Sequence, residues 1–267
     1  MFEENYAALV RNVLTHGEER ETRNGKTLSD FGMRLYIDDL TTGNFPILLG
    51  RKMFYKGVLG ELAAILRKPT CNGDFMEQGC NYWREFADAD GALRVDYGNA
   101  WFDFHGVDQI AELKRMLRED PTSRRMVVTG WDPSHLSDLS LPCCHMFYQF
   151  YVDKHNRLHM QWYQRSVDVM IGLPSDAIFA AAWLLAICAE FGFKPGIIVM
   201  VFGDTHIYEE HIEGAHLYLE QLESNAASKP QFCCSIPTGT DFCKFTAADI
   251  EVLHYNPSPA ISFKVKV

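Results

Sequence analysis

"YQRSVDVMIGLPSDAIFAAAWLLAICAEFG", residues 163–192, changes its periodicity midway. Its first part closes a segment rich in aromatic and branched residues with partial alternation, "LHMQWYQRS", which predicts a strand. From Ala177 to Gly192 the apolar positions fall three and four apart and stop at a glycine, which predicts a helix. Between them "GLPSDA", residues 172–177, carries the Gly, Pro, Ser and Asp of a turn. A strand that feeds a wholly apolar helix through a polar turn implies a sheet with that helix packed over it. The apolar run from Ala177 to Ala189 is shorter than the roughly 20 residues a membrane span needs, and Glu190 closes it.

Outward from this stretch, "NYAALVRNVLTHG", "VLGELAAILR" and "VDQIAELKRMLRED" have helical spacing, and "RRMVVTGW", "CHMFYQFYVD", "IIVMVFGDTHIY", "DIEVLHY" and "AISFKVKV" read as strands. The polar tip Asp153 to Arg157 joins two of the strands and predicts an antiparallel hairpin. No repeat or low-complexity linker interrupts the chain. The expectation is one α+β domain over residues 1–267, with a mixed or antiparallel sheet layered against helices.

A net charge of -10 disfavours general affinity for nucleic acid, and the charged, amphipathic start "MFEENYAALVRNVL" does not resemble a signal peptide. Eight cysteines without an export signal point to a reducing, cytoplasmic setting. The spacings of Cys71 and Cys80, of the adjacent pairs Cys143/Cys144 and Cys233/Cys234, and of His206 and His211 fit no common zinc motif, so no metal is expected.

Three clusters carry chemistry. In "LPCCHMFYQF" (141–150) a cysteine precedes a histidine at the start of a strand, the setting of a thiolate nucleophile or of two small core residues. In "YQRSVDVMIGLPSD" (163–176) Arg165 and Ser166 offer a guanidinium fork and a hydroxyl suited to phosphate, and Asp168 can bond a ring or an amine. In "FGDTHIYEEH" His206 and Tyr208 alternate along a strand, so both face one side, where they can bond sugar hydroxyls. Arg124 and Arg125 precede a strand and point to opposite sides, and Arg23 lies in a Gly-containing loop.

Together these stretches resemble the thymidylate synthase family over nearly the whole chain. In order they are an arginine loop before "TLSDFG", "GEL", "YWREFADADG", "YGNAW", "DPTSRR", the Pro-containing turn with Cys-His followed by "QFYV", "YQRSVDVMIGLP" and "GDTHIY". The resemblance implies the α+β fold of that family and a homodimer formed through a sheet face. It implies 5,10-methylenetetrahydrofolate as co-substrate and no metal. Cys144 matches the nucleophile that adds to pyrimidine C6, and His145 is the histidine that follows it. Arg165, Ser166 and Arg23 match phosphate ligands, with Arg124 and Arg125 supplied across the dimer. His206 and Tyr208 match contacts to the deoxyribose, Gln164 lies beside the ligand, and Asp168 matches a contact to base and folate. Glu61 and Tyr97 match a proton-moving water network, and Trp83 and Gly172 the folate site.

The chain departs from the family pattern at Cys143, Gly60, Phe86 and Ser175, where the family usually has proline or a small residue, histidine, tryptophan and phenylalanine. The fifth departure is Asp176, where thymidylate synthases have asparagine. Asparagine accepts from uracil N3–H and donates towards O4; cytosine presents the reverse pattern. An ionised carboxylate accepts from the 4-amino group, and a protonated one also donates to N3. The expected reaction is therefore methylation of dCMP at C5, as in the deoxycytidylate methyltransferases, with hydroxymethylation of dCMP and conversion of dUMP to dTMP as alternatives. A plain helix-capping role for Asp176 is the competing structural reading. A silent binding protein of this fold is disfavoured by the intact Cys144, Arg165 and Glu61, and a zinc deaminase by the missing ligand signature.

Overall fold

The computed structural model describes residues 2–38, 40, 44–95, 97–225 and 230–266. Helix α1 (Phe2–His16) buries Phe2, Tyr6, Leu9, Val10 and Val13 along one stripe. Three strands follow, β1 (Glu18–Thr22), β2 (Gly25–Phe31) and β3 (Arg34–Ile37), then α2 (Tyr55–Ile65), α3 (Asn72–Glu77), α4 (Asn99–Phe102) and α5 (Gln109–Glu119). Asp108 caps α5 by accepting from the amide of Ala111 at 2.8 Å. The second half comprises β4 (Val127–Thr129), β5 (His145–Val152), β6 (Arg157–Asp168), α6 (Gly172–Phe191), β7 (Lys194–Tyr208), α7 (Ile212–Ser224), β8 (Gln231–Cys234) and β9 (Ile250–Leu253).

Seven strands form one sheet in the order β1-β2-β7-β6-β5-β4, with β3 also paired to β7. Only β6 and β7 run parallel in it; the other pairs are antiparallel, so the sheet is mixed. The parallel pair follows from α6, which carries the chain back along the sheet as a crossover. Strand β6 alternates as its sequence suggests, with Leu158, Met160, Trp162 and Gln164 buried, and Arg157 and Gln161 exposed on the other side. Helix α6 is apolar all round because it is covered on all sides; Ile178, Phe179, Trp183 and Leu184 are each at most 2% exposed. Each such side chain contributes about 1.5–3 kcal/mol of transfer free energy. The indoles of Trp101 and Trp183 stack at 4.4 Å. By length and composition α6 could cross a membrane, but most of it is buried within the protein as a core helix.

Several expectations need correction. Helix α6 begins at Gly172, five residues before Ala177, and Pro174 fits in its first turn, where its missing N–H has no helical partner in any case. Asp176 is therefore inside the helix, and the N-cap is Ile171, so the capping reading of Asp176 fails. The segment from Ala260 to Lys266 forms no regular element and pairs with no strand among the described residues, and Val267 lies outside them. Strands β1 to β3 gave no clear signal; β1, "EERET", is exposed along its whole length and owes its conformation to pairing with β2. Helix α7 and strand β8 were also unforeseen.

Candidate active site

The site lies at the C-terminal ends of the parallel pair, where β6 and β7 run past the helix that covers their middles, the usual place for a ligand in such a crossover. Register sets Ser166 beside Asp204 and Asp168 beside His206. With side chains of one parity on one face, the apolar stripe of β6 and β7 becomes a polar cradle at these ends. Thr27 and Ser29 of β2 sit opposite Tyr208 and His206. The β1–β2 hairpin tip brings Arg23 to the same place, so one cavity of about 210 Å³ is bounded by Arg23, Ser166, Asp204, His206 and Tyr208. His206 donates from Nδ1 to ionised Asp204 at 2.9 Å, leaving Nε2 for a ligand hydroxyl. Asp204 also accepts from Ser29 at 2.9 Å and from Arg20, and these bonds, led by His206, hold its carboxyl below the usual range.

Ser166 also borders a second cavity of about 190 Å³, which holds Cys144, His145, Gln164, Asp168 and Asp176 on its polar side. Trp83, Phe86 and Leu141 supply its apolar walls. Ser166 is common to both chambers.

Cys144 stands on the turn before β5. Its amide donates to the Tyr97 hydroxyl at 2.5 Å, and Arg165 holds the turn by donating to the carbonyls of Cys143 and Pro142, both at 2.9 Å. The guanidinium also lies over the Trp131 ring, 5.1 Å from its centroid. Burial pushes the Cys144 thiol above its ordinary pKa, while Arg165 pulls it down and Asp176 and Asp168 push it up. Burial and Arg165 thus act on the thiol in opposite directions. Cys143 is buried against the Gly130 carbonyl, its Sγ 3.4 Å away, as a small core residue.

His145 is enclosed by the rings of Trp162, Tyr97 and Phe179, and burial lowers its pKa to about 3, so it is neutral. Tyr148 donates its single proton to the His145 carbonyl at 2.9 Å. The 2.5 Å contact between Tyr148 and Nδ1 is then satisfied by an Nδ1–H tautomer, which leaves Nε2 an acceptor 4.0 Å from Oδ1 of Asp176.

Among the described residues Asp176 receives one hydrogen bond, from Gln164 Nε2 to its Oδ2 at 2.7 Å. The Gln164 amide is itself oriented by the Trp162 indole, which donates to its Oε1 at 3.2 Å. Burial raises the Asp176 carboxyl well above the usual carboxylate range, with Glu61 and Asp168 adding to the rise and the Gln164 bond opposing it. In its protonated form the acid has a defined arrangement: Oδ2 accepts from Gln164, so the proton belongs on Oδ1.

The family model for thymidylate synthase matches residues 4–267. The chain belongs to the thymidylate synthase family. It is accordingly a one-carbon transferase, and the chemistry of its family is folate-dependent methylation of a pyrimidine nucleotide at C5.

The folate required by this family fits the apolar side of the second chamber, where Trp83 is stacked on Phe75 at 4.8 Å and Phe86 lies 5.5 Å from Trp83. Asp168 faces the same chamber and is fixed by the amides of Met170 and Ile171, at 2.8 and 3.0 Å. Gly172, at the start of α6, completes that edge. Glu61 accepts from Tyr82 Oη at 2.6 Å and Trp83 Nε1 at 2.7 Å, and burial lifts its pKa to about 7. Trp83 is thus a wall and also a donor that holds the proton-carrying carboxyl.

Of the anticipated residues, Arg23, Glu61, Trp83, Tyr97, Cys144, His145, Gln164, Ser166, Asp168, Gly172, Asp176, His206 and Tyr208 line the two chambers. Arg165 borders neither chamber and donates to the carbonyls of Cys143 and Pro142 in the turn before Cys144. Arg124 and Arg125 are exposed just before β4 and border neither chamber of their own chain. Sequence reading missed Asp204, Tyr82 and Trp162; Asp204 stood within the recognised "GDTHIY" and could have been found by its parity with His206.

The departures have local explanations. A Cβ on Gly60 would stand 2.1 Å from the Gln78 carbonyl oxygen, so neither histidine nor any other side chain fits there while that backbone keeps its course. Ser175 bonds the Ile171 carbonyl at 3.2 Å within α6.

Proposed function

We propose that this enzyme methylates dCMP at C5, using 5,10-methylenetetrahydrofolate, to give 5-methyl-dCMP. The observation that carries the reading is the Trp162–Gln164–Asp176 relay. A carboxylic acid can pair with either pyrimidine edge by choosing which oxygen bears the proton. The relay removes that choice: Gln164 makes Oδ2 the acceptor, and Oδ1–H turned to N3 complements cytosine, with Oδ2 accepting from the 4-amino group. Uracil would need the proton on Oδ2, against the Gln164 donor. A site built to bond one polar edge rejects the other by up to about 10⁴–10⁵.

In this reading Arg23 and Ser166 bind the phosphate, and His206 and Tyr208 the deoxyribose. The Cys144 thiolate adds to C6, which makes C5 nucleophilic as negative charge develops at C5 and N3 of the ring. Oδ1–H of Asp176 meets that charge at N3, and neutral His145 adds no competing charge. Glu61, with a pKa near 7, would move protons at the 4-substituent side; loss of the C5 proton with release of the transferred carbon from the folate nitrogen, then departure of Cys144 as that carbon is reduced or hydrated, would complete the exchange. The folate supplies the methylene carbon and, for a methyl product, the hydride. The dry wall of Trp83, Phe86 and Leu141 supports hydride over water, as does the synthase-like pair Trp83 and His145.

Hydroxymethylation, in which water replaces hydride, is the second reading, supported by the smaller Phe86 at that wall; dUMP methylation is the third. The partner arrangement is a homodimer of cytoplasmic enzyme, the partner's arginines completing the phosphate site. Its support is the exposed apolar face of the sheet, where Tyr36, Phe147, Tyr151 and Ile197 are each more than a third exposed. The test is turnover of dCMP and dUMP with methylenetetrahydrofolate, the nucleotide product being weighed by mass spectrometry while dihydrofolate is followed. A methylated dCMP with one dihydrofolate per product is expected. A hydroxymethyl mass without dihydrofolate replaces the lead with the second reading, and preference for dUMP removes the role given to Asp176.

A further inference from the structure

Away from both chambers, His105, Asp132 and His135 converge. His105 Nε2 and His135 Nδ1 each lie 2.8 Å from the same carboxylate oxygen, Oδ2 of Asp132, and the three ligand atoms all lie within 4.8 Å of one another. The imidazole rings face each other at 5.6 Å, 25° from parallel, and both are more than half exposed. Asp132 is buried, at 8% exposure, and its other oxygen is fixed by the Ser134 hydroxyl and amide at 2.7 and 3.0 Å. That is the outer bond that orients a ligating carboxylate.

The backbone also commits itself to this grouping. His105 and Gly106 form a two-residue turn between Phe104 and Val107, with φ of +53° and +86°. Such turns favour Asn-Gly, and a histidine in the left-handed region is uncommon. Here that conformation aims an imidazole at Asp132.

We infer that His105, Asp132 and His135 form a site for a borderline divalent cation, of which zinc is the best match to two imidazoles and a carboxylate. Three protein ligands leave a position for water. Tetrahedral coordination at zinc bond lengths spaces ligand atoms by about 3.3 Å, so the exposed imidazoles need only swing together around Asp132. The cation would tie the turn at residues 104–107 to the segment that begins at Gly130 and ends at the nucleophile. That segment carries Trp131 under Arg165 and the Gly130 carbonyl against Cys143. The predicted role is a brace for the nucleophile turn, with no part in bond making.

The experiment is titration of chelator-stripped, full-length enzyme with Co²⁺ and Zn²⁺, read by cobalt absorption and by thermal unfolding. One equivalent per chain is expected, with tetrahedral visible bands, no thiolate charge-transfer band, and a raised Tm with Zn²⁺. His105→Asn keeps a residue suited to the turn, and His135→Gln leaves the backbone alone; each should weaken binding more than about tenfold while keeping the unliganded Tm. No stoichiometric binding, a thiolate band that assigns the ion to cysteines, or binding unchanged in both variants would overturn the site. Because these readouts need no nucleotide, they stand or fall separately from the choice of substrate.

Discussion

Gln164 Nε2 lies 2.7 Å from Asp176 Oδ2, and among the described residues it makes the single hydrogen bond to that carboxyl. The pair joins the end of the stripe Leu158, Met160, Trp162 and Gln164 on β6 to the first turns of the helix that crosses over it. It converts a symmetric group, with two equivalent oxygens, into one with a defined acceptor and a defined donor.

Asp176→Asn restores the amide of the synthases. It should shift the ratio of kcat/KM for dCMP over dUMP towards dUMP by at least about 10²-fold, well inside the range open to edge recognition. Competition between the two nucleotides measures it directly; an unchanged ratio assigns the reading of the base elsewhere.

Trp162→Phe keeps the ring and removes the donor to Gln164. Loss of one hydrogen bond is worth about 1 kcal/mol, so selectivity for dCMP should fall roughly fivefold to tenfold. Trp162 is a positioning residue, and a merely structural role predicts a lower Tm with an unchanged dCMP/dUMP ratio.

Glu61 binds its proton more tightly in the folded protein, with a pKa near 7 against an ordinary value of 4.5. Its contribution to stability is full below about pH 4.5 and is lost as pH rises through about 7. The loss is at most about 3 kcal/mol. Glu61→Gln should therefore unfold at a higher temperature than the parent at pH 8 and at nearly the same temperature at pH 5, while losing most of its turnover. Thermal scans at the two pH values check the sign.

Gly60→Ala places a methyl group 2.1 Å from the Gln78 carbonyl oxygen. Such overpacking against backbone costs roughly 1–3 kcal/mol or displaces the segment. A fall in Tm with weakened folate binding is expected, since Gly60 precedes Glu61 and the displaced segment leads to Trp83.

Sharing of arginines between subunits can be read from mixtures. Cys144→Ser and the double variant Arg124→Ala/Arg125→Ala should each be nearly inactive alone. Mixed after dissociation, they should regain about a quarter of parental activity, because half of the dimers are mixed and each has one intact site. No recovery in a verified heterodimer would place the phosphate arginines within one chain.

Local patterns in the sequence determined a good part of this protein. Alternation in "LHMQWYQRS", helical spacing after Ala177 and the stop at Gly192 report burial directly, so strand, helix and their order were legible. So were Cys144, the pair His206 and Tyr208, and Asp176 as candidates that the fold brings to the two chambers, because each sits within a contiguous motif. Only the tertiary structure decided what depends on pairing between distant segments. Strand β1 has no apolar pattern because it is held by hydrogen bonds to β2. The start of α6 at Gly172 took Asp176 out of the cap position and set it against Gln164 on a neighbouring strand. His105 and Asp132 meet across a loop that no spacing rule encodes. Burial, which lifts Asp176 and Glu61 and silences the charge of His145, is a property of the folded surround rather than of the residue. The sequence thus named the groups that could react, and the fold determined their protonation and the direction each one faces.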